Sequence, residues 1–211
     1  MLDLLCKIAI AYLLGSLMGG SIVGRFRGGV DIRALGSGNL GATNAWRTQG
    51  PIFGLLVFII DVGKGVLATL ALPRFALPGL AQDEALAVWT PYLCGLAVMI
   101  GHVYPVFFGF RGGKGVATLI GVWACLLPQS LPYALIVWAL LLVLTGFVSV
   151  ASLGAGLAIS VAAALQQAPG VAIVFAAATA VLLFYTHRAN LTQLRDGRER
   201  RFRKVMLFKR S

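Results

Sequence analysis

The sequence predicts an all-α integral membrane protein with about seven transmembrane helices. Hydrophobic residues form 59% of the 211 residues and charged residues only 12%, a balance that excludes an ordinary water-soluble globule. The apolar residues also lie in long runs, several of which reach the ~20 residues that a helix needs to cross a bilayer. We therefore expect a single membrane domain over residues 1–211.

The predicted spans follow one another along the whole chain. They cover residues 2–24, 52–72, 84–108, 115–128, 131–148, 150–167 and 171–186. The first has no small-x-small cleavage site followed by a soluble domain, so we interpret it as a helix rather than a secretory signal. Brief turns at 128–132, 149–152 and 166–170 contain no Lys or Arg, as is typical of connections between antiparallel neighbours. Gly and Ala crowd residues 151–180, which indicates close helix packing.

Basic residues are concentrated in three regions, which share one side of the membrane if seven spans alternate. They are Arg25, Arg27, Arg33 and Arg47 after the first span, Arg111 and Lys114 after the third, and nine Lys and Arg residues between 188 and 210 after the last. The positive-inside rule then predicts an N-terminus outside and a C-terminus in the cytoplasm. The tail from Arg195 to Arg210 interleaves Arg with apolar residues, which favours an anchor on anionic lipid over a nucleic-acid site.

The first polar motif, GSGNLGATNAWR, lies between the first two spans. Its glycines let backbone amides approach a ligand, while hydroxyls, amides and one guanidinium supply donors for phosphate. The candidate residues are Gly36, Ser37, Gly38, Asn39, Thr43, Asn44 and Arg47. These residues fit two structures equally well: an anion-binding loop, or a re-entrant loop in which Thr43 or Asn44 caps a short helix that ends at Gly50 and Pro51.

The second motif, GHVYPVFFGFRGGKGVAT, joins the third and fourth spans. Its basic, Gly-rich part opens a helix, and the free N–H groups at a helix N-terminus favour bound phosphate. The candidate residues are His102, Arg111, Gly112, Gly113, Lys114 and Gly115. The spacing is not that of a Walker P-loop. A positive-inside anchor would need only one cation, so the three glycines around Lys114 favour phosphate binding.

The third motif, HRANLTQLRDGRE, follows the seventh span. A helical turn would place His187 and Asn190 on one face, beside Arg188. The chain has only two histidines, His102 and His187, which are too few to indicate a metal site, and no cofactor is expected. His102 also has a structural explanation, in which its side chain supports the packing between loops.

Asp61 and Lys64 lie inside the second span, three residues apart. Ionisable groups at membrane depth are candidates for function. An ion pair between them is an equally good structural explanation, because each charge has a partner within one helical turn.

The polar loops lack the groups that activate a weak electrophile. They contain no Cys nucleophile, no Ser-His-Asp pattern, no suitable pair of carboxylates and no His-x-x-x-x-Asp motif. Such a site binds and neutralises phosphate better than it performs nucleophilic catalysis. A substrate that is already activated, with phosphate as its leaving group, is therefore favoured.

Together, the three motifs closely resemble those of the bacterial acyl-phosphate:glycerol-3-phosphate acyltransferase family, integral membrane enzymes that start phospholipid synthesis. The resemblance covers essentially the whole chain, and DVGKG in the second span is similar to a family feature. Gln193 stands where the family pattern has a basic residue, which affects only a peripheral contact.

The resemblance implies transfer of an acyl group from acyl phosphate to the 1-hydroxyl of glycerol 3-phosphate, giving 1-acyl-glycerol 3-phosphate and phosphate. It implies a seven-helix fold in the bacterial inner membrane with its active site facing the cytoplasm. Ser37 and Arg47 then form a catalytic or phosphate-positioning pair, Gly112, Gly113 and Lys114 bind glycerol phosphate, His187 and Asn190 are catalytic partners, and Glu199 is structural.

The chemistry of the residues agrees with direct acyl transfer, without an acyl-enzyme. Either a substrate phosphate oxygen or His187 removes the hydroxyl proton. Two other classes of protein remain as alternatives: a transporter of phosphate or a phosphorylated solute, and a non-catalytic membrane scaffold. The sequence leaves acyl-chain preference and oligomeric state open.

Overall fold

The computed structural model describes residues 1–82, 84–202 and 205–207, and over these residues all regular secondary structure is helical. The predicted all-α class is therefore confirmed. Part of the predicted basic tail, including Arg203, Lys204 and Arg210, lies outside the described residues. The chain divides into two compact units, residues 1–126 and residues 127–211.

Six α-helices form the first unit over its described residues. They are α1 (Leu2–Ser16), α2 (Gly19–Phe26), α3 (Ala42–Gln49), α4 (Pro51–Val66), α5 (Thr90–Val103) and α6 (Val116–Leu126). The α4 helix continues through a π-helical turn and a 3-10 turn to Arg74. The short helix α3 ends at Gly50 and Pro51, as one interpretation of the first motif predicted, but its N-cap is Gly41 rather than Thr43 or Asn44.

Glycines allow the helices of the first unit to pack backbone to backbone. In α1, a Cβ atom on Gly15 would collide with the carbonyl oxygen of Val98 in α5. A Cβ atom on Gly65 in α4 would likewise collide with the carbonyl oxygen of Thr118 in α6. Small residues at such crossings are how membrane helices gain close van der Waals contact.

The break between α1 and α2 is held by Asp61 and Lys64 of α4. The two helices are inclined by 47° across the break. Lys64 Nζ donates to the carbonyl oxygens of Gly15 and Leu17, both at 2.9 Å, and lies 3.0 Å from the Asp61 carboxylate. The same carboxylate accepts the N–H of Gly19, the first residue of α2, at 3.3 Å. The buried ion pair therefore satisfies backbone groups that the interrupted helix leaves without intrahelical partners.

Four α-helices form the second unit over its described residues. They are α7 (Leu131–Thr145), α8 (Val148–Leu165), α9 (Gly170–Thr186) and α10 (Arg188–Arg195). The predicted turn at 149–152 is wrong, because these residues lie in the first turns of α8. The chain turns instead at Gly146, which has the left-handed conformation typical of a helix C-terminus.

Every predicted span contains a helix, but their lengths differ. Three are long and apolar enough to cross a membrane by length and composition: Pro51–Arg74, Thr90–Phe108 and Val148–Leu165. The bent pairs α1–α2 and α9–α10 raise this number to five among the described residues. The remaining apolar helices, α6 and α7, have 11 and 15 residues, fewer than the ~20 of a full span.

Candidate functional site

The first motif is a loop organised by the buried side chain of Asn44. The Asn44 amide nitrogen lies 2.9–3.1 Å from the carbonyl oxygens of Ile32, Leu35 and Asn39. Its amide oxygen accepts the backbone N–H of Ser37 at 2.9 Å. One side chain thus supplies a donor and an acceptor to a loop that lies between two helices, where unpaired backbone groups would be costly. Asn44, predicted as a ligand-binding residue, is 3% exposed and serves the loop itself.

The backbone conformation of this loop requires glycine at two positions. Gly36 and Gly38 both have positive φ, at 62° and 70°, where other residues are strained. A Cβ atom on Gly36 would also collide with the Asn44 amide oxygen. The Asn39 side chain accepts the N–H of Gly41 at 2.8 Å and so fixes the entry to α3.

The hydroxyl groups and the guanidinium of the first motif lie outside the hydrogen-bond network around Asn44. Ser37 and Arg47 are exposed, while Thr43, in the first turn of α3, is half-buried. Nearby, Arg33 forms a bidentate ion pair with Asp31 and lowers the pKa of that carboxyl through its hydrogen bonds. Asp31 therefore keeps its charge at neutral pH and offsets part of the positive charge around the loop.

The second motif leaves α5 and enters α6 through a tightly held turn. The N–H groups of Gly112 and Gly113 donate to the carbonyl oxygens of Val103 and His102, at 3.1 and 3.0 Å. Gly115 has a φ of 83° and directly precedes α6. Lys114 is half-buried at the N-terminus of that helix, the position that the sequence predicted for an anion-binding group.

The first and second motifs meet within the first unit. Phe108 of the second motif packs on a buried cluster that includes Ile32, which precedes the first motif, and Leu40, which lies within it. The guanidinium of Arg33 lies 5.8 Å from the centre of the Phe108 ring, within the range of a cation–π contact. The predicted anion-binding groups of two motifs that are far apart in sequence therefore share one apolar support.

The third motif lies in the second unit, at the junction of α9 and α10. His187 is 2% exposed, and its Nδ1 lies 2.8 Å from the carbonyl oxygen of Leu183. Because a carbonyl only accepts, this contact assigns the proton of the neutral ring to Nδ1 and the lone pair to Nε2. The Asn190 amide nitrogen donates to both carboxylate oxygens of Glu199, at 2.7 and 2.9 Å, which fixes the orientation of the Asn190 side chain.

The arrangement supplies cations and hydrogen-bond donors rather than metal ligands. Among the described residues, no three His, Cys, Asp or Glu side chains are grouped so that they could hold a metal ion. Arg47, Arg111 and Lys114 are cations, and the start of α6 adds backbone N–H groups. Such a set stabilises phosphate and developing oxyanions.

Two functional features of the structure were missed or left open by sequence reasoning. The organising role of Asn44 depends on contacts with residues up to 12 positions away, which no local pattern reveals. An ion pair between Asp61 and Lys64 was one of two predicted explanations, but its role at the helix break was not predicted. A signal for it existed, because both a cation and an anion stand one turn apart inside an apolar run.

Comparisons with known proteins connect this geometry with one enzyme family. The profile of the family "Glycerol-3-phosphate acyltransferase" matches residues 5–197. A glycerol-3-phosphate acyltransferase of Desulforudis audaxviator is 39% identical over 95% of this chain and 96% of its own length. The enzyme of that name from Aquifex aeolicus is 38% identical over 92% of this chain and 97% of its own length.

Two crystal structures share the fold. Both are of PlsY, named an integral membrane glycerol 3-phosphate acyltransferase, in a glycerol 3-phosphate form and a lysophosphatidic acid form. Both are 36% identical to this chain and cover 94% of it, with TM-scores of 0.83 and 0.82. The alignments include 95% and 94% of the respective PlsY chains.

Proposed function

This chain belongs to the glycerol-3-phosphate acyltransferase family, and from this premise we propose that it transfers a fatty acyl group from acyl phosphate to the sn-1 hydroxyl of glycerol 3-phosphate. The products are 1-acyl-glycerol 3-phosphate and inorganic phosphate. The names of the PlsY structures, with glycerol 3-phosphate and lysophosphatidic acid, support this acceptor and this class of product.

The phosphate of glycerol 3-phosphate binds at the second motif in this proposal. The observation that carries it is the position of Lys114 at the N-terminus of α6, next to the Gly112–Gly113 turn. The N–H groups of the first helical turn and the ammonium group both attract an anion there. Arg111, Gly112, Gly113 and Gly115 complete this part of the site.

The first motif binds the acyl phosphate. Arg47 is suited to bind two phosphate oxygens through its forked guanidinium. Ser37 donates a hydrogen bond rather than attacking the acyl group, with Gly36, Gly38, Asn39 and Thr43 around it. Asn44 contributes indirectly, because it holds the N–H of Ser37 and thus the shape of the loop.

The reaction is a single transfer between the two substrates. The acceptor hydroxyl oxygen forms a bond to the acyl carbonyl carbon, the bond from that carbon to the phosphate oxygen breaks, and inorganic phosphate leaves. Cations and backbone amides stabilise the charge on the carbonyl oxygen and on the departing phosphate. An acyl phosphate is a mixed anhydride, so no acyl-enzyme is needed.

The acceptor hydroxyl must lose a proton, and two groups can take it. One is an oxygen of a substrate phosphate. The other is Nε2 of His187, because Nδ1 of the same ring is hydrogen-bonded to the carbonyl oxygen of Leu183. Asn190, oriented by Glu199, orients the acceptor. We propose that His187 and Asn190 act on the same substrates as the first two motifs.

The proposed enzyme is one functional domain in the bacterial inner membrane. It has seven spans, an N-terminus outside and a C-terminus in the cytoplasm, and its site faces the cytoplasm. The charge distribution supports this orientation. The basic tail contacts anionic lipid, and neither nucleic acid nor a cofactor takes part.

Transport of phosphate is a weaker proposal. It relied on Asp61 and Lys64 as polar groups deep in the membrane, but all three N–H donors of Lys64 have protein partners: Asp61 and the carbonyl oxygens of Gly15 and Leu17. The pair is therefore committed to the break between α1 and α2.

A comparison of acyl donors tests the proposed reaction. Purified protein is given glycerol 3-phosphate with either palmitoyl phosphate or palmitoyl coenzyme A, and the position of the acyl group in the product is determined. We expect 1-acyl product from palmitoyl phosphate alone. Equal use of the thioester, or acylation at the 2-hydroxyl, would contradict the proposed donor or regiochemistry.

A further inference from the structure

His102 lies in the last turn of α5 and is 2% exposed. Its ring lies between Asp61 of α4 and Gly113 of the second motif. A buried imidazole in this position can act on the loop without contacting substrate.

One edge of the His102 ring lies against Gly113. A Cβ atom added to Gly113 would overlap Nε2 and would lie 2.9 and 3.0 Å from Cδ2 and Cε1 of the ring. The Gly113 N–H also donates to the His102 carbonyl oxygen at 3.0 Å. Both the ring and the main chain of His102 therefore define where the residue before Lys114 lies.

The opposite side of the ring faces a fixed group. His102 Nδ1 lies 3.6 Å from the Asp61 carboxylate, too far for a hydrogen bond but close enough for an electrostatic contact. Asp61 is itself held by Lys64 and by the Gly19 N–H. The ring is thus confined between the helix break and the second motif.

Two further contacts join the second motif to α1. Tyr12 donates to the carbonyl oxygen of Tyr104 at 2.8 Å, and the Val106 N–H donates to Ser16 Oγ at 3.3 Å. The beginning of the motif is therefore tied to α1, while its Gly112–Gly113 part depends on His102.

We propose that His102 is a positioning residue for substrate binding: its ring supports Gly113 and thereby places Lys114 and the N–H groups at the start of α6. This deepens the proposed function and rests on it, because it takes the second motif as the glycerol phosphate site. His102 acts through Gly113, so its loss should alter glycerol 3-phosphate binding more than the acyl transfer step.

The test is a pair of substitutions that should compensate each other. Gly113→Ala places a methyl group into the ring, whereas His102→Ala removes the ring, so the double variant has room for the methyl. We expect each single change to raise the KM for glycerol 3-phosphate about ten-fold or more, because small displacements of binding groups are costly. In the double variant, KM should fall below that of Gly113→Ala alone, and kcat should change about two-fold or less in His102→Ala.

Gly112 provides a matched control. A Cβ atom on Gly112 would meet the His102 carbonyl oxygen and the Pro105 ring, and His102→Ala leaves both in place. The defect of Gly112→Ala should therefore persist in the His102→Ala background. If His102→Ala does not fold, His102→Asn is used in its place, because its shorter side chain also clears the position of the added methyl.

The outcomes separate this inference from the proposed function. Absence of glycerol 3-phosphate-dependent acylation by the unaltered protein would reject the function and, with it, the inference. With an active protein, an unchanged KM in His102→Ala, a loss confined to kcat, or additive defects in the double variant would reject the positioning role alone. Folded fractions are compared by thermal unfolding in detergent, so that loss of protein is not mistaken for loss of binding.

Discussion

The ammonium group of Lys64 lies 2.9 Å from the carbonyl oxygen of Gly15, where the first helix ends. A cation inside the second span thus stabilises the end of a helix 49 residues earlier in the chain. The interaction lets α1 stop and α2 restart at another angle, and α2 leads to the first motif.

Loss of the Lys64 charge should destabilise the whole first unit. Lys64→Met keeps most of the length of the side chain but leaves the buried Asp61 carboxylate without its cation, and breaking a buried ion pair in this way costs about 3–5 kcal/mol. Thermal unfolding in detergent should show a large drop in Tm. Asp61→Asn in the same chain should recover part of the loss, and Gly63→Ala, whose Cβ meets no atom within 4 Å, is the neutral control. Equal stability of Lys64→Met and the unaltered protein would contradict this role.

Asn44→Asp should disable the first motif while α3 stays helical. The new carboxylate would face three carbonyl oxygens in place of an amide donor, and each unsatisfied buried group costs about 1–3 kcal/mol. The rate of acyl transfer falls about ten-fold for each 1.4 kcal/mol added to the activation free energy. We therefore expect a loss of about ten-fold or more when the loop is no longer held in shape. Gln49→Ala, at the exposed end of the same helix, should be neutral. Wild-type activity of Asn44→Asp would mean that this amide does not define the loop.

Lys114→Ala should weaken the use of glycerol 3-phosphate. Charge-assisted hydrogen bonds to phosphate contribute roughly 1.5–3 kcal/mol, so kcat/KM at limiting acceptor should fall about 10- to 100-fold. Arg74→Ala serves as the control, because it removes an exposed cation that follows the C-terminus of α4. If Lys114→Ala matches this control at limiting acceptor, Lys114 does not belong to the site.

Two substitutions separate the roles of the His187 nitrogens. His187→Asn places an amide donor near the position of Nδ1 and can keep the bond to Leu183, whereas His187→Gln carries its amide nearer the position of Nε2. If His187 is the base, both should lose about 10²-fold or more in kcat, and His187→Asn should be the more stable. Nearly full kcat in a folded His187→Asn would assign proton removal to a substrate phosphate.

The helical class and the positions of the apolar helices were predictable because membrane insertion demands long apolar runs. The break inside the first span was not, although Gly15-Ser16 and Gly19-Gly20-Ser21 stand beside it, because small residues are also common inside continuous membrane helices. It depends on Lys64, which is close to the break only in the folded protein. The turn predicted at 149–152 is instead at Gly146, whose left-handed conformation ends α7. This glycine was the better local signal for the turn.

The candidate site residues were easier to identify from the sequence than the contacts that support them. Glycines, cations and donors must lie in loops to reach phosphate, so the motifs containing Ser37, Lys114 and Asn190 stand out in the sequence. Asn44 looked equivalent to these groups, because residue type alone does not distinguish an amide that binds a ligand from one that binds backbone. Burial decides between them, and it follows from packing in three dimensions.

The most direct test of the proposed activity is release of inorganic phosphate from palmitoyl phosphate by the purified protein, measured with and without glycerol 3-phosphate. We expect release only when both substrates are present, with one 1-acyl-glycerol 3-phosphate formed for each phosphate. Rapid release without the acceptor, or no release with it, would contradict direct acyl transfer by this protein.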